Sequence, residues 1–247
     1  MISIFQKLVY PWFLIWILCS IPACKKSEKT IDKQTNGRTT AIFNPDVTYG
    51  TMTDQDGNIY KTVVIGTQTW MAENLRTGRY ANGDSITFIN LKEFTENFIN
   101  RATGACCNYH NTKYVDTIAT YGKFYNWYAV NDNRGIGPPG WHVPSTSEWQ
   151  VLFNFGGDTT SGKLKEIGTY HWRDPNTGAT NSTGFTAMPA GMVFNMFYPV
   201  GEYGIYWTST LDFNGIHLVY FSWNNEICVN KIDFANTGYC VRLIKDN

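Results

Sequence analysis

Hydrophobic and polar positions divide the chain into three regimes. Residues 8–19 are almost wholly apolar, residues 25–47 show no apolar period, and patterned segments begin near Thr48. Within the patterned part, Ile59-Tyr60-Lys61-Thr62-Val63-Val64-Ile65 is β-branched and aromatic and reads as a strand. Asp56-Gly57-Asn58 before it suits a tight hairpin turn, and Gly66-Thr67-Gln68 turns the chain into a second strand over 69–72. Leu91, Phe94 and Phe98 stand at helical spacing behind Asn90, a candidate cap, which predicts a helix over 91–99. Ser145 and Glu148 stand three apart, the spacing of a capping box. Trp149, Leu152 and Phe153 then form an i, i+3, i+4 stripe that ends at Gly156-Gly157. A second short helix is predicted over 161–167. Beyond Thr183, strands are predicted over 185–188, 192–197, 205–210, 216–223, 226–232 and 239–244. Helices first and a meander afterwards argue for an α+β class, with short helices, a strongly twisted antiparallel sheet and long loops.

The first apolar run is too short for a comfortable membrane span of about 20 residues and suits the core of a secretory signal. Lys7 precedes it and Ile21-Pro22-Ala23-Cys24 follows. This looks like a bacterial lipoprotein signal, in which a small residue precedes the cut and the next Cys takes lipid. The expectation is a signal over 1–23 and lipid on Cys24. Residues 24–47 then make a flexible tether, and 48–247 one domain. The protein would sit in the cell envelope, lipid-anchored at the outer membrane. An ordinary cleaved signal with an incidental Cys24 is the alternative.

Composition sharpens this picture at three points. The formal charge is +0, and loss of 1–23 removes Lys7 alone among the charged residues, so the remainder carries −1. That balance argues against nucleic acid held by phosphate neutralisation. The 9 Trp, 15 Tyr and 15 Phe exclude a disordered chain. The 22 Gly fit a turn-rich β body.

Candidate chemistry is sparse. No phosphate-binding Gly loop, His-Glu-x-x-His or Gly-x-Ser-x-Gly occurs, so neither a cofactor nor a metal is expected. Asp54-x-Asp56-Gly57 has the start of a calcium loop, but the closing acid would fall on Ile65, which favours a plain turn. His110, His142, His171 and His217 are scattered. His142 reads as a core residue with a satisfied hydrogen bond, and Glu148 as a cap rather than a catalytic acid. In an oxidising compartment Cys106, Cys107, Cys228 and Cys240 allow three pairings. Cys228 and Cys240 fall in consecutive predicted strands, so a cross-strand disulfide between them is possible. Trp223-Asn224-Asn225-Glu226 combines an aromatic, two amides and a carboxylate at a strand end, groups suited to a sugar face. A core Trp followed by an Asn-Asn turn is the plainer reading.

An ordered series of motifs carries a resemblance. It starts with residues 56–65, then Trp70-Met71-Ala72-Glu73-Asn74-Leu75 and Tyr121-Gly122-Lys123-Phe124-Tyr125-Asn126-Trp127-Tyr128. Gly140-Trp141-His142-Val143-Pro144-Ser145, Gly162-Lys163-Leu164-Lys165-Glu166, Thr183-Gly184-Phe185, Trp207-Thr208-Ser209-Thr210 and Val241-Arg242 complete it. Together these resemble the Fibrobacter succinogenes major paralogous domain, from about residue 50 to 246. The resemblance implies a C-type-lectin-like or formylglycine-generating-enzyme-like fold in a secreted protein or lipoprotein. It departs in two places: Val241-Arg242 is followed by Leu243 rather than Cys, and Cys106 stands where an aromatic is common.

Three functions follow as expectations. The first is an envelope-anchored, non-catalytic binding or adhesion module, with a glycan as one ligand class. The second is a surface lipoprotein whose partner is another protein. The third is an oxidase of the formylglycine-generating type. That chemistry uses a close Cys pair near the end of the fold, whereas Cys228 and Cys240 are twelve positions apart.

Overall fold

The computed structural model describes residues 37–90, 102–157, 160–225 and 229–247. The helix expected over 91–99 lies outside them. The class is α+β, with short helices among small, mostly antiparallel sheets.

The first sheet has the order β1 (Gly50–Thr53), β2 (Ile59–Ile65), β3 (Gln68–Met71), β11 (Ile244–Lys245), β7 (Trp141–His142). Strand β2 has the bounds expected from its β-branched and aromatic run, and it pairs with β1 and β3 through hairpins. Gly57 closes the first hairpin at φ 79°, a conformation that side chains with a Cβ rarely adopt.

A second sheet is the meander β8 (Tyr203–Asp212), β9 (Gly215–Ser222), β10 (Val229–Asp233), close to expectation. The third joins β4 (Thr87–Phe88) in parallel to β5 (Ala105–Asn108), which pairs antiparallel with β6 (Lys123–Tyr125). Tyr239 and Cys240 stitch the sheets together: Tyr239 bridges Tyr125 and Cys240 bridges Tyr206.

Two expected strands are absent for identifiable reasons. Over 185–188, Thr186 has φ 55° and the Phe185 and Thr186 carbonyls accept from the buried Arg242 guanidinium, so they cannot serve a ladder. Over 192–197, Phe194 N–H donates to the Met196 carbonyl in a tight turn, and one bridge joins Val193 to Gly238. The final strand shrinks to Ile244–Lys245 because Tyr239 to Arg242 serve several neighbours in turn.

Four α-helices lie among the described residues: α1 (Val115–Tyr121), α2 (Trp127–Val130), α3 (Thr146–Gly156) and α4 (Thr160–Leu164). The capping box of α3 is formed as expected, with Glu148 N–H donating to Ser145 Oγ and Ser145 N–H donating to Glu148 Oε2. Gly157 ends that helix at φ 69°. Helix α4 is shorter than expected. Trp149 presents its ring to Trp70 at 4.7 Å and to Phe185, Tyr206 and Phe221, an aromatic centre that is wholly buried.

The tether expectation needs correction at its C-terminal end. Arg38 N–H donates to Asp116 Oδ1 (2.8 Å), Thr40 N–H to Thr120 Oγ1 (3.0 Å) and Ile42 N–H to Glu166 Oε1 (2.5 Å). Asn44 Nδ2 donates to the Asn181 carbonyl. A segment without apolar period docks because its backbone donors meet side-chain acceptors on the body.

Candidate functional site

The β1–β2 turn builds one wall of a cleft. Asp54 is buried; its Oδ1 accepts from Asp56 N–H and Asn58 N–H, and its Oδ2 from Asn58 Nδ2 and the Tyr60 hydroxyl. These bonds make the segment a turn, in line with expectation, and leave Asp54 no role as a calcium ligand. They keep Asn58 buried and leave Asp56 at the exposed end of the turn. Asp56 is held in turn by Gly78 N–H (2.5 Å), Thr77 Oγ1 and Arg79 Nε (3.0 Å).

Across from this turn lie Arg76 and Lys123, with Val115 and Ile118 of α1 above them. The six residues line an open cleft of about 310 Å³, near the lower end of small-molecule sites. Arg76 is 2% exposed and stacks on the Tyr60 ring at 4.3 Å. One of its terminal nitrogens donates to the Ile59 carbonyl, whereas Nε and Nη1 have no hydrogen-bond acceptor. Glu73 lies 3.8 Å from Nη1, beyond hydrogen-bond reach, and its Oε2 accepts from Lys61 N–H. Burial, the largest influence, raises the Glu73 pKa despite the bond from Lys61. Lys123 Nζ donates to the Arg76 carbonyl at 2.7 Å.

The second candidate is the turn at 223–226. Trp223 is half-buried against the aromatic centre, and Arg173 lies 4.8 Å over its ring. The Trp223 carbonyl accepts from Thr177 N–H. Asn224 is exposed, and its Oδ1 accepts from Ser222 Oγ at 2.6 Å. Asn225 is exposed, and its carbonyl accepts from the buried Lys165 ammonium. Glu226 lies outside the described residues.

His142 is not a core residue. Its side chain is 43% exposed, with Nε2 2.8 Å from Glu148 Oε1 and Nδ1 2.6 Å from Asp246 Oδ1. Its hydrogen-bonding is satisfied, as expected, but by two carboxylates at the surface. Burial opposes the charged ring, yet the bonds to Asp246 and Glu148 prevail and raise its pKa. For Glu148 burial again opposes the charge, and the bonds from Ser145 and His142 lower its pKa overall.

A second histidine cluster lies around Glu166. The buried pair Glu166–His171 joins Nδ1 to the carboxylate at 2.8 Å, and His171 Nε2 meets Thr40 Oγ1 at 2.9 Å. Proximity of 166 and 171 in the chain was the available signal, but the docking of Thr40 was not.

The expected Cys228–Cys240 disulfide is corrected at its described end. Cys240 is a free, buried thiol whose Sγ lies 3.4 Å from the Tyr121 carbonyl. Its segment lies beside β8 and β6, while β10 pairs with β9, so the consecutive-strand premise does not hold. Cys228 itself lies outside the described residues. Cys106 and Cys107 are also free and buried; burial pushes the Cys106 and Cys240 thiols up to about 12. Among the described residues no group of three His, Cys, Asp or Glu is placed to hold a metal ion. No helix among them is long and apolar enough to cross a membrane.

Fold and cleft define an α+β domain with one wall built on a tight hairpin and a buried arginine beneath a small cavity. The chain belongs to the Fibrobacter succinogenes major domain family, which matches residues 63–245. No curated protein and no solved structure matches it.

Proposed function

We propose that this chain is a non-catalytic binding module displayed on the cell envelope, held there by lipid on Cys24, and that its ligand enters the cleft between the β1–β2 turn and α1. The observation that carries the reading is the 310 Å³ cavity, where polar groups of fixed orientation converge beneath two apolar side chains. That mixture suits a sugar, whose hydroxyls and C–H face need both kinds of surface. The same reading takes the fold as C-type-lectin-like, supported by the short helices, the small antiparallel sheets and the long connecting loops.

The turn at Trp223, Asn224, Asn225 and Glu226 is the second candidate for the ligand site. Its two exposed amides favour it; the guanidinium over the Trp223 ring leaves less of that ring for stacking. A protein partner is the alternative, favoured by Leu211 (58% exposed) and Phe213 (97% exposed) at the tip of the β8–β9 hairpin.

A glycan array probed with the purified chain, with and without calcium, tests the function. Binding to a defined glycan class is expected; silence on the array beside capture of one envelope protein would favour the hairpin tip instead. For the anchor, radiolabelled palmitate is expected in the chain and not in Cys24→Ser. Label on that variant would refute lipidation at Cys24.

A further inference from the structure

We infer that the face where the N-terminal segment joins the body docks on the membrane surface, with Tyr114 and Tyr170 at the headgroup level and Arg38 and Lys113 on acidic headgroups; this rests on the lipid anchor proposed at Cys24. The chain's point of entry into the body carries the argument. Gly37 is buried, and a Cβ there would collide with the Val115 carbonyl. Arg38 N–H donates to Asp116 Oδ1, and Thr40 Oγ1 meets His171 Nε2, so the entry point is fixed on the start of α1 and on the Glu166–His171 pair. Cys24 and Gly37 stand 13 positions apart. That is a reach of at most about 45 Å, against about 80 Å for a tether running to residue 47. A lipid on Cys24 makes contact between this face and the bilayer intramolecular, so a surface of modest affinity stays docked.

The face carries the groups that a headgroup layer takes up. Tyr114 immediately precedes the residue on which Gly37 packs, and it is 79% exposed. Tyr170 immediately precedes the histidine that holds Thr40; it is 72% exposed, with its ring edge-on to His171 at 4.6 Å. Tyrosine has an apolar ring and a polar tip, and both find partners at a membrane–water boundary. Arg38 and Lys113 are exposed, and neither side chain has a carboxylate partner among the described residues. Asp116, the acid beside them, is engaged by the Arg38 N–H. Cations so placed are drawn to an anionic lipid surface at contact range. The β8–β9 hairpin tip is more exposed at Phe213, but the chain does not enter the body there and Asp212 adjoins it.

Hydroxyl-radical footprinting of the full chain in phosphatidylethanolamine–phosphatidylglycerol vesicles, compared with Cys24→Ser beside the same vesicles, tests this. Flotation of the vesicles reports the anchor separately. The native chain is expected to float, with oxidation of Tyr114 and Tyr170 at least about threefold below that in Cys24→Ser and Phe213 unchanged. The double variant Arg38→Glu, Lys113→Glu is expected to float and to regain most of the oxidation at both tyrosines. Both side chains are exposed, and the melting temperature verifies the fold. A floating chain whose tyrosines react as in Cys24→Ser would overturn the docking and leave the anchor intact. Protection of Phe213 in their place would overturn this face. Unchanged protection in the double variant would overturn the acidic headgroups as partners. A chain that does not float would overturn the anchor, and the docking with it.

Discussion

Arg242 is wholly buried, and four of its five N–H groups have acceptors. Nε donates to Asn74 Oδ1, Nη1 to the Met71 and Phe185 carbonyls, and Nη2 to the Thr186 carbonyl. The ring of Phe185 lies 4.9 Å from the guanidinium. Burial lowers its pKa, but four charge-assisted bonds hold it in place. A lysine has the charge without the fork, so Arg242→Lys leaves buried carbonyls without donors. A loss of about 3 kcal/mol or more is expected in urea unfolding; a loss within about 0.5 kcal/mol, the range of an ordinary surface change, would contradict this role. The sequence motif Val241-Arg242 marked the position, yet nothing local told which carbonyls it would join, because its partners come from residues 71–74 and 185–186.

Histidine 142 supplies a pH signature at the same scale. Its folded pKa is raised above the ordinary 6.5, so its contribution is fully present below 6.5 and is lost as pH rises through the folded value. Glu148 is lowered below 4.5, so its contribution is present above 4.5 and is lost as pH falls through the folded value. Both operate together between about 4.5 and 6.5. The margin in melting temperature of the native chain over His142→Gln is expected to be larger at pH 5.5 than at pH 8.5. A margin independent of pH would show that the two carboxylates do not govern the ring.

Among the elements, those set by neighbours in the chain were legible. Strand β2 follows from its β-branched and aromatic run, and α3 from Ser145, Glu148 and the stripe after them. Helix α1 carries no local start signal, because Tyr114 offers no side-chain cap, and packing stabilises it instead. Residues 38–44 read as tether for the same reason in reverse: their composition is polar, and what orders them is distant. Thr40 meets Thr120 and His171, and Ile42 N–H meets Glu166. Replacing Thr40 by Val removes the hydroxyl from His171 Nε2 and Thr120 while keeping the side-chain volume. A loss of about 1 kcal/mol is expected, with faster amide exchange over 38–44. Unchanged exchange there would mean the segment is fixed by other contacts.

Across the whole molecule, the sequence located the α+β class and the family, while the cleft had to await the fold. Asp56, Asn58, Arg76, Val115, Ile118 and Lys123 come from four separate stretches of chain, and no spacing among them carries a signal. The turn at Trp223 is a candidate in the sequence because its aromatic and amides are adjacent there; in space, Arg173 lies over the Trp223 ring. The aromatic excess went largely into the interior around Trp70, Trp149 and Trp207 rather than onto a binding face. The central claim is that a ligand enters the cleft beside α1. The most direct test compares the affinity of the strongest array ligand for the native chain, Val115→Asp and Trp223→Ala. The account predicts that Val115→Asp, at the half-exposed lip of the cavity, weakens binding at least about tenfold while Trp223→Ala changes it little. Loss of affinity in Trp223→Ala with an intact fold and full affinity in Val115→Asp would contradict it.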